Sequence, residues 1–252
     1  MTDAFIDCSM AGATGDMLTA ALLDVGAPRQ PVKQAMQLTA EKFGGAKIKI
    51  NRVKVGPFTA TRVKIQTKDK GRRKYSEVKR ELAKLKLPTQ TRARVLNTIN
   101  RIAKAEAKIH GKKTSDLTLH EVSAADALAS IVGACTAARE LGLLNGRILV
   151  SQIAVGNGNI KTSHGTLPIP APATLEILKG ATIQGGPTKA ELTTPTGAAL
   201  LATLASKYVN TFPTMRVNHT GYGTTSRNHK NKNLLRVTIG KLTKPTRRKQ
   251  WN

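Results

Sequence analysis

The segment AVGNGNIKTSHGTLPIPAPAT, residues 154–174, combines glycines, a lysine, a histidine and prolines in a way that no single helix or strand accommodates. Gly156 and Gly158 permit positive φ or the close approach of a ligand, whereas three later prolines fix φ and remove backbone donors. The sequence therefore predicts a stiff loop of defined shape. The alternative interpretation is a structural turn that contains His164 without using it.

The residues on either side of this loop indicate an α/β protein. The run ILVSQIAV, residues 148–155, predicts a buried strand, and Ala171, Leu175 and Leu178 recur at the spacing of a helix that ends at Gly180. A strand, a rigid loop and a helix are the usual layout of a ligand crevice in such proteins. We therefore expect an α/β fold with a mixed sheet, flanking helices and two lobes.

Composition narrows the class of protein. The chain has 252 residues, of which 40% are hydrophobic and 3% aromatic, so a core of aliphatic residues and alanine is expected. No apolar run approaches the roughly 20 residues that cross a bilayer, and the N-terminus lacks the basic start of a signal peptide. Cys8 and Cys135 are too few for a disulfide framework. These features predict a soluble, cytoplasmic protein.

The formal net charge of +26 is unevenly distributed along the chain. No lysine or arginine precedes Arg29, and no acidic residue follows Glu191. Such an excess attracts polyanions: nucleic acid, anionic membrane or a phosphorylated substrate. The aromatic content indicates no base-stacking platform, and no zinc-finger or RNA-binding aromatic motif is found. We interpret the charge mainly as surface bias, with non-specific nucleic-acid binding as the other interpretation.

Two aspartates flank the first predicted strand-to-helix turn, SMAGATGD. Asp7 ends a short strand, and Asp16 precedes an apolar helix. They are either a strand-end residue and a first-turn acid that complements the helix dipole, or a pair of oxygen ligands for a cation. No basic residue lies nearby in the sequence, so both carboxylates are expected to be available for a cation.

A hairpin and a basic run follow. Residues 46–55 and 58–67 alternate apolar with polar side chains, which predicts a hairpin with one solvated face carrying Lys47, Lys49, Arg62 and Lys64. The run KDKGRRK, residues 68–74, is predicted to be a mobile basic linker.

A second candidate site lies in LTLHEVSAADALASIVGACTAARELGL, residues 117–143. His120 and Glu121 precede an apolar helix predicted from Val122 to about Leu141, with Asp126 in its second turn at an apparently buried position. The cluster is either a helix cap or a metal site. Together with His164 it offers the nitrogen and oxygen ligands that suit a first-row divalent ion.

Near the C-terminal end, AELTTPTGAALLATLA predicts a capped helix that Pro195 begins. Thr194, Thr196 and the first N–H groups of this helix are candidate phosphate or carboxylate ligands, and Glu191 is a candidate for a cation or for hydroxyls. A plain, well-capped helix is the alternative. A turn at Gly221 to Gly223 and a closing strand, NLLRVTIG, are predicted beyond it.

Five blocks of this sequence resemble one known family. They are DCSMAGATGDMLTAALLDVG, LHEVSAADALASIVG, VGNGNIKTSHGTLPIPAPATLEILKG, ELTTPTGAALLA and GYGTTSRN. The family is the nickel-insertion protein family of lactate racemase maturation (LarC, pyridinium-3,5-bisthiocarboxylic acid mononucleotide nickel chelatase). The blocks span nearly the whole chain, and the third and fourth are long and unusual.

The resemblance implies a cytoplasmic protein that binds Ni²⁺ and a pyridinium mononucleotide with two thiocarboxylates. It implies a CTP-dependent insertion that forms two Ni–S bonds and one Ni–C bond. The residues can be fitted to that task. Gly156, Gly158, Lys161 and the helix start at Thr194 to Thr196 are expected to bind the phosphate. Nickel is expected at His120, Glu121, Asp126 or His164, and His164 or Glu121 is expected to be the base.

The sequence departs from the family pattern in four places. KDKGRRKYSE stands where members usually carry a histidine-rich stretch, Ser130 stands in place of a second aspartate, and Asn228 ends the glycine-tyrosine block. The family's C-terminal domain, associated with CTP, has no counterpart in this sequence, so we expect either that a separate chain supplies it or that complete chelatase activity is lost. By domain, we expect a family-like region at residues 1–240, with lobes of about 1–75 and 76–240, and a basic disordered tail at 241–252.

Two hypotheses about function follow. The first is a nickel-inserting enzyme or its metal- and substrate-binding half, expected as a homo-oligomer without a membrane span; nickel binding should then depend on His120 and His164. The second is a repurposed basic member of the family that binds RNA or another polyanion without chelatase activity. Salt-dependent nucleic-acid binding that survives both histidine substitutions would distinguish it.

Overall fold

The computed structural model describes residues 1–162, 165–225 and 234–243. Its strands are β1 (Asp3–Asp7), β2 (Lys47–Val55), β3 (Phe58–Gln66), β4 (Arg73–Lys74), β5 (Thr118–Leu119), β6 (Ile148–Val150), β7 (Ile153–Ala154), β8 (Asn159–Thr162), β9 (Gly165–Pro168), β10 (Ile183–Gln184), β11 (Lys207–Tyr208), β12 (Met215–Thr224) and β13 (Leu235–Leu242). Its α-helices are α1 (Gly15–Asp24), α2 (Arg29–Lys42), α3 (Tyr75–Lys84), α4 (Thr89–Ile109), α5 (Ala125–Glu140), α6 (Pro172–Ile177) and α7 (Pro195–Leu204). Short 3-10 turns lie at Thr114–Asp116, Glu121–Ser123 and Leu143–Asn145.

Seven of the described strands form one mixed sheet in the order β11–β6–β1–β13–β12–β3–β2. β1 runs parallel to β6 and antiparallel to β13, and β12 runs antiparallel to β13 and parallel to β3. Helices flank this sheet, so the predicted α/β class with a mixed sheet is confirmed. The hairpin predicted at residues 46–67 is also confirmed, because β2 and β3 pair along their whole length.

Helix α1 packs directly on the sheet, and two glycines of β12 allow it to do so. A Cβ added to Gly223 would lie 2.1 Å from the carbonyl oxygen of Met17, and one added to Gly221 would lie 2.2 Å from the amide nitrogen of Val25. Both glycines therefore face α1, and Tyr222 between them faces the other side of the sheet. The predicted turn at these residues is wrong, since they belong to a continuous strand.

Helix α5 is the centre of the helical layer. It packs against α1, α2, α4 and α7, and most of its residues are buried. Small side chains make these close contacts possible: a Cβ on Gly133 would lie 2.8 Å from Met36. The predicted start at Val122 is wrong, because a 3-10 turn at Glu121–Ser123 precedes the helix, which begins at Ala125.

The basic run at residues 68–74 is anchored, so its interpretation as a mobile linker is wrong. Its last two residues form β4, which pairs with β5. Arg73 donates to both carboxylate oxygens of Asp69, at 2.8 and 3.1 Å, and to the carbonyl oxygens of Ser123 and Phe43. The charge pattern gave no sign of the contacts to Ser123 and Phe43, because these two partners are distant in sequence.

The domain boundaries stay predictions. The main sheet contains strands from both sides of residue 75, and one cluster of buried residues extends from Ala4 to Ile239. β13 ends at Leu242, two residues inside the segment predicted as a tail, and residues 244–252 lie outside the described part. Among the described helices, none is both long enough and apolar enough to cross a membrane.

Candidate functional site

A cavity of about 500 Å³ lies where three helices begin. Thr14 caps α1 by accepting a hydrogen bond from the amide of Met17 at 3.4 Å, and Thr194 caps α7 by accepting one from the amide of Gly197 at 3.2 Å. The start of α5 forms the third side through Asp126 and Ala127. Helix N-termini carry partial positive charge and first-turn N–H groups, so this end of the cavity suits an anion.

The starts of α1 and α7 are held rigidly against each other. Thr193 accepts from the amide of Ala13 at 3.1 Å and donates to the carbonyl of Ala154 at 2.7 Å. A Cβ on Gly197 would lie 1.9 Å from the carbonyl oxygen of Ala13, so only glycine permits this approach. The two helix ends therefore present a preformed pair of N-termini to the cavity.

The proline loop forms another wall. Its first part is a hairpin of β8 and β9, which contributes Ile160, Lys161, Thr162 and Leu167 to the cavity lining. Ala171, Pro172 and Ala173 continue this wall at the start of α6. The predicted shaped loop is thus a hairpin followed by a short helix, and Lys161 brings a positive charge to its rim.

The cavity is acidic although the protein is strongly basic. Five carboxylates line it, which is one third of the 15 acidic residues in a chain of net charge +26. They are Asp16, Glu106, Glu121, Asp126 and Glu191. Opposite charges attract more strongly in a partly desolvated site than in water, so this cluster favours a cationic ligand.

Asp16 is held by hydroxyl groups on two sides. Thr14 donates to one carboxylate oxygen in a short hydrogen bond, and Thr225 donates to the other at 2.8 Å. Thr225 also lines the cavity, just after the end of β12. The carboxylate is therefore fixed at the start of α1 and lines the cavity, and no arginine or lysine of the described ranges forms an ion pair with it.

The turn that carries His120 and Glu121 is fixed from behind by Asp69, Arg73 and Ser123. The amide of Ser123 and its hydroxyl both donate to the carbonyl of His120, at 2.9 and 2.8 Å. Asp69 accepts from the amide of Ala125 at 2.9 Å, which caps α5. Burial by itself would raise the pKa of Asp69, but the Arg73 guanidinium and two backbone N–H groups outweigh it, and the pKa lies below its usual range.

Comparison with known proteins gives the family. The sequence profile described as nickel insertion protein matches residues 4–251. The chain belongs to the nickel insertion protein family. A pyridinium-3,5-bisthiocarboxylic acid mononucleotide nickel insertion protein of Nocardioides sp. is 38% identical over 242 residues, which are 95% of this chain and 60% of that protein. The protein of that name in Desulfitobacterium hafniense (strain DCB-2) is 36% identical over 244 residues, 96% of this chain and 59% of its own length.

A third relative is matched over a similar share of its length. A protein of Methanothermobacter thermautotrophicus is 37% identical over 238 residues, which are 93% of this chain and 58% of the relative. This member of the nickel insertion family thus spans about 60% of the length of the curated relatives that it matches. No solved structure matches the chain.

All five sequence blocks that resemble the family contribute to the lining of this one cavity. The first supplies Asp16, the second His120, the third Lys161, the fourth Thr194 and the fifth Thr225. These residues are separated by as many as 209 positions in the chain. The features shared with the nickel insertion family therefore converge on a single site.

Most of the residues predicted for the site lie together. Eight of them line the cavity: Asp16, His120, Glu121, Asp126, Lys161, Glu191, Thr194 and Thr196. Asp126 is exposed in the first turn of α5, so its expected burial in the second turn is wrong. His164 lies outside the described residues. Glu191 is buried and pairs with Gly156 in an isolated β-bridge.

Three predicted residues do not line the cavity. Asp7 accepts from Ser9 and forms an ion pair with Arg236 at 2.6 Å, so the fold supplies the cation that was absent nearby in the sequence. Gly156, with φ of 93°, serves chain packing, because a Cβ there would lie 1.9 Å from the carbonyl oxygen of Ala190. Gly158 also has positive φ, and its carbonyl accepts from the amide of Ile169.

The structure adds residues that the sequence did not reveal. His110 and Glu106, at the end of α4, line the cavity and approach each other to 3.4 Å. They lie outside the five blocks, and their i, i+4 spacing on a basic helix gave no distinctive signal. Ser130, one of the expected departures from the family pattern, also lines the cavity. Among the described residues, no group of three or more histidine, cysteine, aspartate or glutamate side chains has the geometry of a metal site.

Proposed function

We propose that the cavity binds Ni²⁺ and a pyridinium-3,5-bisthiocarboxylic acid mononucleotide, and that nickel is inserted there to give the nickel-pincer product. The protein would act as the nickel chelatase or as its metal- and substrate-binding half. The observation that carries this proposal is the convergence of all five family blocks on one cavity. The names of the relatives in Nocardioides and Desulfitobacterium supply the substrate class.

The charges of the cavity match the two ends of such a substrate. A mononucleotide carries a phosphate, which suits the first turn of α7 and the ammonium group of Lys161, since the first turn of α1 already carries the Asp16 carboxylate. A pyridinium ring carries a positive charge, which suits the cluster of carboxylates around Asp16 and Glu121. One cavity thus offers one place for the anionic phosphate and another for the cationic ring.

Nickel is the inorganic substrate of this reaction. His120, Glu121 and Asp126 offer imidazole nitrogen and carboxylate oxygen singly or in pairs, since no three of the described side chains form a metal cluster. Such ligands bind first-row divalent ions and can give way to softer thiocarboxylate sulfur. His164 stays a predicted ligand. We propose that these side chains deliver the ion to the substrate and release it when its bonds to sulfur and carbon form.

Formation of the Ni–C bond requires loss of one proton from the ring. The electron pair of the broken C–H bond becomes the Ni–C bond, so the proton must pass to a base and nickel keeps its oxidation state. Glu121, which lines the cavity, is the proposed base, and His164 is the alternative. The dependence on CTP, its supply by a separate chain and a homo-oligomeric state remain predictions, as does cytoplasmic location.

Nickel binding tests this proposal directly. Purified protein titrated with Ni²⁺ in a calorimeter should bind it with a Kd in the micromolar range. His120→Ala should weaken binding at least about tenfold, since one ligand is lost. His219→Ala is the matched control, because His219 is exposed on β12 and does not line the cavity.

The gain of a ligand provides a second arm. Ser130→Asp restores the carboxylate of the family pattern at the cavity wall and should tighten nickel binding. Equal effects of His120→Ala and His219→Ala, in proteins with unchanged thermal unfolding, would contradict the proposed metal ligands. The alternative of a family member that binds only polyanions would then gain support, but no comparison favours it at present.

A further inference from the structure

A basic and aromatic surface lies on the side of the sheet opposite α1. We call it the outer sheet face and define it by Lys47 and Lys49 of β2, Phe58, Arg62 and Lys64 of β3, and Tyr222 of β12. β2 and β3 place their apolar residues Ile48 and Val63 in the core, so the alternate positions point outward. The outer sheet face is separate from the cavity and has no part in the function proposed above.

All charged side chains of the outer sheet face are cationic. Residues 46–67 contain six cations and no acidic residue, and four of the cations lie on the outer sheet face. Within the described ranges, none of those four forms an ion pair with a carboxylate, whereas Arg52 on the opposite face pairs with Asp24 at 3.4 Å. The Nε atom of Arg62 is buried and has no hydrogen-bond partner among the described residues.

Folding alone does not account for these cations. Lys49 and Lys64 are directly opposite each other in the register of β2 and β3, and like charges at such positions destabilise a sheet. Lysine on an edge strand can prevent pairing with another chain. This role explains Lys47 and Lys49, because β2 is an edge strand. Arg62 lies where β3 is paired with both β2 and β12, so edge protection does not explain it.

Aromatic rings lie beside the cations. The chain has eight aromatic residues, and two of them, Phe58 and Tyr222, belong to the outer sheet face. Two more lie further along the same side of the sheet, where the buried ring of Phe5 contacts Phe212. Phe58 is 49% exposed, and its ring centroid lies 6.4 Å from that of Tyr222. Phe212 is 47% exposed and lies under the guanidinium of Arg236. The low aromatic content of the whole chain therefore conceals a local concentration.

We propose that the outer sheet face binds single-stranded nucleic acid. Lysine and arginine side chains spaced about 7 Å apart along a strand follow a phosphate backbone, and exposed rings stack on unpaired bases. A duplex hides the faces of its bases, so a sheet surface with exposed rings favours a single strand over a duplex. The complementarity of a face without acidic residues to a polyanion supports this partner over a second copy of a chain that carries net charge +26.

Fluorescence anisotropy with a labelled 20-nucleotide oligouridylate tests the proposal. The double variant Lys49→Gln, Lys64→Gln should weaken binding at least about tenfold at low salt. It should also reduce the slope of log K against log salt by about 0.7 for each lost phosphate contact. The double variant Lys86→Gln, Lys104→Gln is the matched control: it removes the same charge from exposed positions on or beside helices and should change the Kd less than about twofold.

Ring substitutions separate stacking from charge. Phe58→Leu and Tyr222→Leu should each weaken binding of the single strand about fivefold or more, while Tyr222→Phe, which keeps the ring, should bind nearly as the parent protein does. The duplex of the same length should bind more weakly than the single strand. Neither the duplex nor heparin, a polyanion without bases, should respond to the ring substitutions. His120→Ala should leave oligouridylate binding unchanged, which separates this result from that of the nickel experiment.

Several outcomes would overturn the proposal. Equal losses in the two double lysine variants would show binding by net charge alone. A duplex that binds as tightly as the single strand would exclude base stacking. Sedimentation that shows a dimer of the parent protein but a monomer of the Lys49, Lys64 double variant would assign the face to contact between copies of the chain.

Discussion

The acidic cavity lies at the N-terminal end of α1, the outer sheet face lies across the sheet from α1, and the two regions are built in opposite ways. The cavity gathers residues from Thr14 to Thr225, and each carboxylate in it is brought there by a different element. The outer sheet face comes mostly from one hairpin, whose pairing register places Lys49 opposite Lys64. A site assembled from distant segments depends on the whole fold, whereas a face made by a hairpin depends mainly on local register.

The largest expected effect comes from disturbing α1, which the two regions share. Gly223→Ala would place a Cβ 2.1 Å from the backbone oxygen of Met17, so α1 must move away from the sheet. We expect a loss of about 3 kcal/mol or more in the free energy of unfolding, measured by urea denaturation. Thr220→Ala, at an exposed position of the same strand, should change it by less than about 1 kcal/mol.

A smaller effect should be confined to the cavity side. Asp69→Asn removes the partner of Arg73 and weakens the cap of α5, and we expect a loss of about 2–3 kcal/mol at pH 7. Because the pKa of Asp69 is lowered in the folded protein, its contribution is present above the unfolded value near 4 and is lost as the pH falls through the folded value. The difference between variant and parent should therefore shrink below about pH 4.

The control for this pH dependence is Asp116→Asn, since Asp116 is exposed in a 3-10 turn. Urea denaturation at pH 7 and at pH 3 measures both variants. A constant difference between Asp69→Asn and the parent protein at the two pH values would contradict the assigned role of the Asp69 carboxylate. Nickel titration of Asp69→Asn would also report whether the His120 turn keeps its position.

The smallest expected effect has the opposite sign and concerns the outer sheet face. Lys49→Gln removes the repulsion with Lys64 and should raise the free energy of unfolding by about 0.2–0.5 kcal/mol at low salt. Lys47→Gln is the control, because Lys47 is opposite Gln66. A stabilisation that disappears in 1 M NaCl would identify repulsion as the cause. If Lys49→Gln and Lys47→Gln have the same free energy of unfolding, repulsion between Lys49 and Lys64 does not destabilise the fold.

The two cysteines of the chain are not suited to bind nickel as thiolates. Burial raises the pKa of the Cys8 and Cys135 thiols to about 12 each, so both remain protonated near neutral pH. The soft ligands for nickel in the proposed reaction therefore come from the substrate and not from these two residues.

Sequence patterns predicted local elements well where one periodicity dominated. The hairpin at residues 46–67, the start of α7 at Pro195 and the mixed α/β class all follow from alternation, capping residues and glycine or proline positions. The errors arose where tertiary packing gave a pattern another meaning. Gly221 and Gly223 indicated a turn, but in β12 they make room for α1.

The same reason explains the successes and failures at the candidate site. Residue types and family blocks were enough to select His120, Glu121, Asp126 and Thr194, which line the cavity. They could not place Asp7, whose partner Arg236 lies 229 residues away, or reveal His110, which reaches the cavity from the end of α4. Sequence spacing carries no information about such contacts until the sheet is assembled.

The sequence by itself determined the class of fold, the family and the residue types available for binding a cation and a phosphate. These properties depend on periodicity and on the residue types found within short segments. Only the tertiary structure decided that a third of the carboxylates share one cavity and that half of the aromatic rings share one face of the sheet. The charge and exposure of a site depend on which residues are neighbours in space, and the order of residues along the chain does not give those neighbours.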